Sequence, residues 1–444
     1  MNWGILILLI AIILFGVLAF KGISALILAP LVTCFVLIFA PIFAGEDIAI
    51  LNGLKEQFMP AAADYVSSYF LMFFMGALFG AVYQFTGAAK SIAKWLAGMC
   101  HGKFVAPIIM CITGLLTYGG ISGFVVFFVI YPIALQMFRS ANLTRRLIPA
   151  AISAGCWTWS MYGPGSPSIQ NVIPIESLGT TPTAALVPSV IATVASFVMI
   201  FVWLEYRARS FTKRGYFFDD PRLKMQLSPE ELQEDDPNEV LPNPIVALVP
   251  IVVILVLFNI VGLPVETAVF IGVALATILF FTRIEGGING WIKVFNKGAA
   301  DSGVSILNTA IVVGFGGVVQ NTKGFTDLVN SLQNLDMNPL IFVMITVAVC
   351  AGACGSASGG MGVAFNALKD VYAALGANFE YVHRIGAIAA GTLDTLPHQG
   401  AQITLLGICK CTHKEAYFDI AITQIGVPFT PVLFFSPFPP ADML

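Results

Sequence analysis

The chain has 444 residues, 57% of them hydrophobic and only 11% charged, with a net charge of −3. A soluble domain carries about 25% charged residues, so a soluble fold is excluded. With no basic patch, a nucleic-acid partner is not expected either. The apolar runs are near-continuous and about 20 residues long, not alternating strands of about ten, so the expected fold class is an all-α polytopic membrane protein.

Trp3–Phe20 and residues 23–43 read as two spans joined by a tight Lys21-Gly22 turn. The first run lacks a basic leader and a small-residue cleavage site, so it is expected to be a retained span. Residues 45–64 are polar and mostly acidic, and 65–85 form the third span. Residues 87–102 carry Lys90, Lys94 and Trp95 among small apolar residues, as in a helix lying in the membrane interface. Residues 104–138 are too long for one span and too short for two. Their middle reads Tyr118-Gly119-Gly120-Ile121-Ser122-Gly123, which permits a tight turn, so a re-entrant hairpin is expected. Arg145 and Arg146 open an apolar stretch that Tyr162-Gly163-Pro164-Gly165-Ser166-Pro167-Ser168 interrupts, because clustered Pro and Gly end a helix. Residues 184–204 are the next span. Residues 207–240 are hydrophilic, charged and proline-rich, and read as a linker between halves.

The same programme then runs again. Residues 245–261 and 265–281 are spans joined by a short Gly-Leu-Pro turn. Residues 286–297 resemble the earlier interfacial stretch, with Trp291 in place of Trp95, and 302–319 form a span. The centre of residues 340–368 is Cys354-Gly355-Ser356-Ala357-Ser358-Gly359-Gly360, a second hairpin tip. Next comes Gly391-Thr392-Leu393-Asp394-Thr395-Leu396-Pro397-His398-Gln399-Gly400, flanked by apolar sequence on both sides. Pro397 must break a helix there, and a broken helix at membrane depth survives only beside protein or a water-filled cavity. Residues 418–435 close the chain. The eight cysteines are scattered and read as small core residues. Cys409, Cys411 and His413 fit no zinc spacing, so no metal is expected.

Ser122-Gly123 and Ser358-Gly359 lie 236 positions apart, and so do Gly155 and Gly391. A duplication explains this shared register. Two inverted-topology repeats are therefore expected, 1–205 and 244–444, with 206–243 as a cytoplasmic linker. Each repeat would hold about five spans, a re-entrant hairpin and a broken helix. An odd number of crossings inverts the second half. With both termini periplasmic, all but Lys55, Lys323, Lys369 and Arg384 of the 22 lysines and arginines fall inside. That is a strong positive-inside bias.

Inverted halves with broken helices mark a secondary transporter. Half-helix N-termini and free N–H groups suit an anion such as a carboxylate. The residues expected to bind it are Gly120, Ser122 and Gly123 at the first tip and Ser356, Ser358, Gly359 and Gly360 at the second. Ser166, Ser168 and Asn171 at the first break and Thr395 and His398 at the second complete the set. Asp394 and His398 are expected to carry a coupling proton, since intramembrane ionisable groups mark relays and burial penalises the charged form of each. No P-loop, His-Glu-x-x-His or Gly-x-Ser-x-Gly motif is present. An enzyme is not expected, and the polar residues cluster in two short zones rather than lining a channel.

The stretch Cys354–Gly360 together with Gly391–Leu406, containing Asp394-Thr395-Leu396-Pro397-His398, resembles the GntP family of gluconate and hydroxybutyrate permeases, along the whole chain. The resemblance implies proton-coupled uptake of small hydroxy-carboxylates across the bacterial inner membrane. It also implies a homodimer working by an elevator motion of a transport domain against a scaffold, with no cofactor. The run Tyr162 to Asn171 departs from the His- and Pro-rich stretch of the gluconate branch and is more similar to the 3-hydroxybutyrate branch. Gluconate or another sugar acid, and sodium coupling, are the alternatives.

Overall fold

The computed structural model describes residues 2–99, 103–118, 123–166, 168–228, 231, 240–332 and 337–430. Every regular element among them is helical. Six of these helices are long and apolar enough to cross a membrane. The protein is an all-α polytopic membrane protein.

The first half runs α1 (Trp3–Phe20), α2 (Ala25–Ala44), α3 (Ile50–Phe85), α4 (Ala88–Met99), α5 (Val105–Tyr118), α6 (Gly123–Ser140), α7 (Ile148–Tyr162), α8 (Ile169–Leu178) and α9 (Leu186–Lys213). The second runs α10 (Pro244–Asn259), α11 (Val265–Leu279), α12 (Gly287–Gln320), α13 (Lys323–Leu332), α14 (Pro339–Cys354), α15 (Ala357–Ala374), α16 (Phe379–Leu393), α17 (Gly400–Ile408) and α18 (His413–Ala421). Local sequence explains the starts. Asn243-Pro244 and Asn338-Pro339 each combine a capping Asn, whose Oδ1 accepts an N–H of the first turn, with a proline at the first helical position.

Several helices depart from the expected boundaries. The acidic stretch before Tyr65 is helical from Ile50, continuous with the span that follows it. Residues 286–297 are not a separate interfacial piece but the first turns of the 34-residue α12. The amphipathic counterpart of α4 is instead α13. The last span starts earlier than expected, at His413, and its residues 431–435 lie outside those described. Helix α9 continues to Lys213, so the inter-half segment is shorter than expected. It also folds back onto the bundle: Phe218, Leu223 and Leu227 are buried, and Asp220 pairs with Arg146 (3.0 Å) and Arg222 (2.6 Å).

The halves interlock. Helices α3 and α12 pack along each other, and each also receives a helix of the other half's opening pair, α11 on α3 and α2 on α12. Likewise α4 packs on α10 and α1 on α13. Both long helices end in Gln followed two residues later by Thr, Gln84/Thr86 and Gln320/Thr322. Each Thr hydroxyl donates back to a carbonyl, of Val82 and Val319 respectively. One apolar core surrounds α5–α7 and the other surrounds α14–α16. Two hairpins, α5–α6 and α14–α15, and two broken helices, α7–α8 and α16–α17, are thereby set inside a frame built on α3 and α12.

Candidate functional site

Turn chemistry places the chain ends that matter. At the second tip, Gly355 has φ +61°, a left-handed conformation that only glycine adopts without strain. It reverses the chain so that α15 can start at Ala357. Ser356 is the cap, its Oγ accepting the Gly359 N–H at 3.2 Å and lying 3.4 Å from Ser358 Oγ. At the first break, Ser168 Oγ and Asn171 Nδ2 both donate to the Ser160 carbonyl (2.8 and 2.7 Å), which α7 leaves free as it ends. At the second, Gln399 caps α17 by accepting the Gln402 N–H at 2.7 Å.

These features converge on one cavity of about 530 Å³, inside the ~300–1,000 Å³ range of small-molecule sites. Helices α6, α8, α15 and α17 all begin in its lining, at Gly123, Ile169, Ala357 and Gly400. Each N-terminus carries unsatisfied N–H groups and about half a positive charge. No lysine, arginine or histidine lines the cavity among the described residues, and Asp394 is the one carboxylate that does. Asp394 closes the C-terminal end of α16, facing the Ala357 N–H and the Gln399 amide, while its Oδ1 has no hydrogen-bond partner among the described residues. Tyr65, Tyr69, Phe124, Phe127 and Trp157 supply an aromatic wall.

The structure brings Gly123, Ser168, Ser356, Ser358, Gly359 and Asp394 together in this lining. Gly120 and Ser122 lie outside the described residues. The other expected residues stand behind the lining. Gly360 lets α15 approach the Ala351 backbone, where a Cβ would come within 2.2 Å. Asn171 Oδ1 accepts from the Arg384 guanidinium at 2.6 Å. Thr395 returns its hydroxyl to the Thr392 carbonyl (2.6 Å), and Ser166 is buried beside the break.

His398 is not in the lining. Its Nε2 meets the Gly352 carbonyl at 3.0 Å, and its ring lies against Phe15 and Phe315. Four residues apart on a regular helix, Asp394 and His398 would share a face. With the helix broken at Pro397, Asp394 lines the cavity and His398 stands behind it. His413 Nε2 and the Tyr417 hydroxyl hold this turn from α18, through the carbonyls of Pro397 (2.9 Å) and Thr395 (2.9 Å).

Arg384 also differs from expectation. The loop charges place it among the outside residues, but it is fully buried. Its guanidinium donates to Asn171 Oδ1 and to the carbonyls of Met161 (3.2 Å) and Gly163 (3.4 Å), clamping the first break to α16. The free carbonyls at the end of α7 are the negative end of a helix dipole, which is why a cation sits there without a carboxylate.

Residue patterns alone did not single out Tyr65, Tyr69, Trp157, Thr309, Gln320 and Gln399, all of which line the cavity. One signal was present: Gln84 and Gln320 are another pair 236 positions apart. The aromatic wall carried no signal, because tyrosine and phenylalanine are ordinary in an apolar span.

A bundle of membrane-crossing helices, with a cavity of small-molecule size lined by the N-termini of four helices, defines the class: a polytopic membrane protein with an internal site. No family model matches the chain. It is 32% identical, over 92% of its own length and 93% of the relative's, to the "Uncharacterized transporter YxjC" of Bacillus subtilis (strain 168). The chain belongs to the same transporter family.

Proposed function

We propose that the protein is a secondary active transporter of the GntP type that carries a short hydroxy-monocarboxylate, 3-hydroxybutyrate first, together with a proton. The observation that carries this reading is the set of four helix N-termini around a cavity whose one carboxylate, among the described residues, is Asp394. Those N-termini favour one compact negative charge. The aromatic wall favours a substrate with an apolar part over a polyhydroxylated sugar acid such as gluconate. Two carboxylates in one low-dielectric space repel strongly, so the anion and a proton on Asp394 bind best together. That linkage is the coupling. Asp394, not His398, carries the proton in this reading. The hairpins and broken helices form the moving part of an elevator, and α3 and α12 belong to the frame. The chain sits in the inner membrane as a homodimer with both termini periplasmic, in keeping with the loop charges.

Uptake into proteoliposomes tests this. With a pH gradient, labelled 3-hydroxybutyrate is expected to accumulate above its external concentration, to collapse when the gradient is dissipated, and to be recovered unchanged. Accumulation of gluconate instead, or dependence on a sodium gradient alone, would replace the substrate or the ion. Mere equilibration would mean a channel, and an altered product would mean an enzyme.

A further inference from the structure

We propose that the Tyr65 hydroxyl recognises the substrate's own hydroxyl, which makes Tyr65 the residue that selects hydroxy-acids over the corresponding plain acids. This rests on the carboxylate reading above. Only two side chains in the cavity lining, among the described residues, hold buried polar atoms with no hydrogen-bond partner: Asp394, through Oδ1, and Tyr65, through its hydroxyl. A buried hydroxyl left unpaired is destabilising. A ligand that pairs it recovers that loss, and a ligand that cannot is penalised for the same reason.

The ring is held firmly. Tyr69 lies tilted beside it at 4.6 Å between centroids, with Phe124 at 6.3 Å and Phe73 at 6.5 Å edge-on. These contacts restrict the ring before substrate arrives, which lowers the ordering loss on binding. The chemistry of its partner follows from the charges. The substrate carboxylate is drawn to the helix N-termini at the tips and breaks. Asp394 lines the same cavity as Tyr65. A second anion is disfavoured at that spot, whereas a neutral hydroxyl, both donor and acceptor, is not.

The test is Tyr65→Phe, which keeps the ring and its packing. Uptake of 3-hydroxybutyrate and of butyrate is measured for both proteins in proteoliposomes, with thermal unfolding in detergent as a check on folding. The wild-type protein is expected to favour the hydroxy-acid in kcat/KM. The variant is expected to lose about tenfold on the hydroxy-acid, roughly one hydrogen bond's worth, and nothing on butyrate. An unchanged ratio, an equal fall for both acids, or a wild-type protein indifferent to the hydroxyl each overturns the assignment while leaving the carboxylate reading intact. A wild-type protein that carries neither acid overturns the carboxylate reading, and the Tyr65 assignment with it.

Discussion

Asp394 and His398 are four positions apart in one motif, yet the cavity holds only the first. Their roles should separate accordingly. Asp394→Asn keeps the shape and removes the titration, so pH-driven accumulation is expected to vanish while substrate counterflow continues, since exchange needs no net proton movement. His398→Gln keeps a donor for the Gly352 carbonyl, which is now 3.0 Å from Nε2. It is expected to slow uptake yet still concentrate substrate in response to a pH gradient. Uptake and counterflow measured side by side decide this. Accumulation surviving in Asp394→Asn would remove that residue from the coupling step.

At the scale of elements, the two hairpins depend on close helix contact, and the matching glycines of the two halves are not equivalent. A Cβ on Gly155 of α7 would meet Thr113 Oγ1 at 1.9 Å and the Met110 carbonyl at 2.3 Å, so backbone would have to move. A Cβ on Gly391 of α16 would first meet the Met161 sulfur at 2.4 Å, the end of a flexible side chain. Gly155→Ala is therefore expected to destabilise by about 1–3 kcal/mol, the usual overpacking range, and Gly391→Ala by clearly less. Thermal unfolding of the purified protein in detergent gives the order directly. An equal loss would mean that α5 and α7 can part as easily as Met161 can turn.

For the whole molecule, the loop charges and the inter-half segment make one statement about orientation. With Arg384 buried as a structural clamp, the positively charged residues assigned outside reduce to Lys55, Lys323 and Lys369. The bias is thus sharper than the sequence count implied. The segment after Lys213 is strapped to α7 by the Arg146–Asp220 pair (3.0 Å), so it belongs on the same side as the ends it binds. A cysteine introduced at the exposed Lys224 or Arg222 is expected to resist a membrane-impermeant reagent added to intact cells and to react after lysis. Strong labelling from outside would reverse the topology, and with it the direction assigned to the coupled proton.

What the sequence determined by itself was whatever depends on local composition and spacing. Runs of apolar residues set the class of the fold, all-helical and membrane-crossing, because hydrocarbon admits little else. Clustered Pro and Gly marked the first break, Pro397 the second, and a glycine-serine run the second hairpin tip, because backbone dihedrals are a local matter. The Ser-Gly and lone-Gly matches suggested a register of the second half against the first. Only the tertiary structure decided which of those marked residues share a cavity. It sent Asp394 and His398 apart, since the turn geometry after Pro397 is not a regular periodicity. It also made Arg384 a clamp and put the unmarked Tyr65 in the same cavity lining as Asp394. A buried arginine is explained only by carbonyls about 200 positions away in the chain, and a cavity wall only by helices packing from both halves.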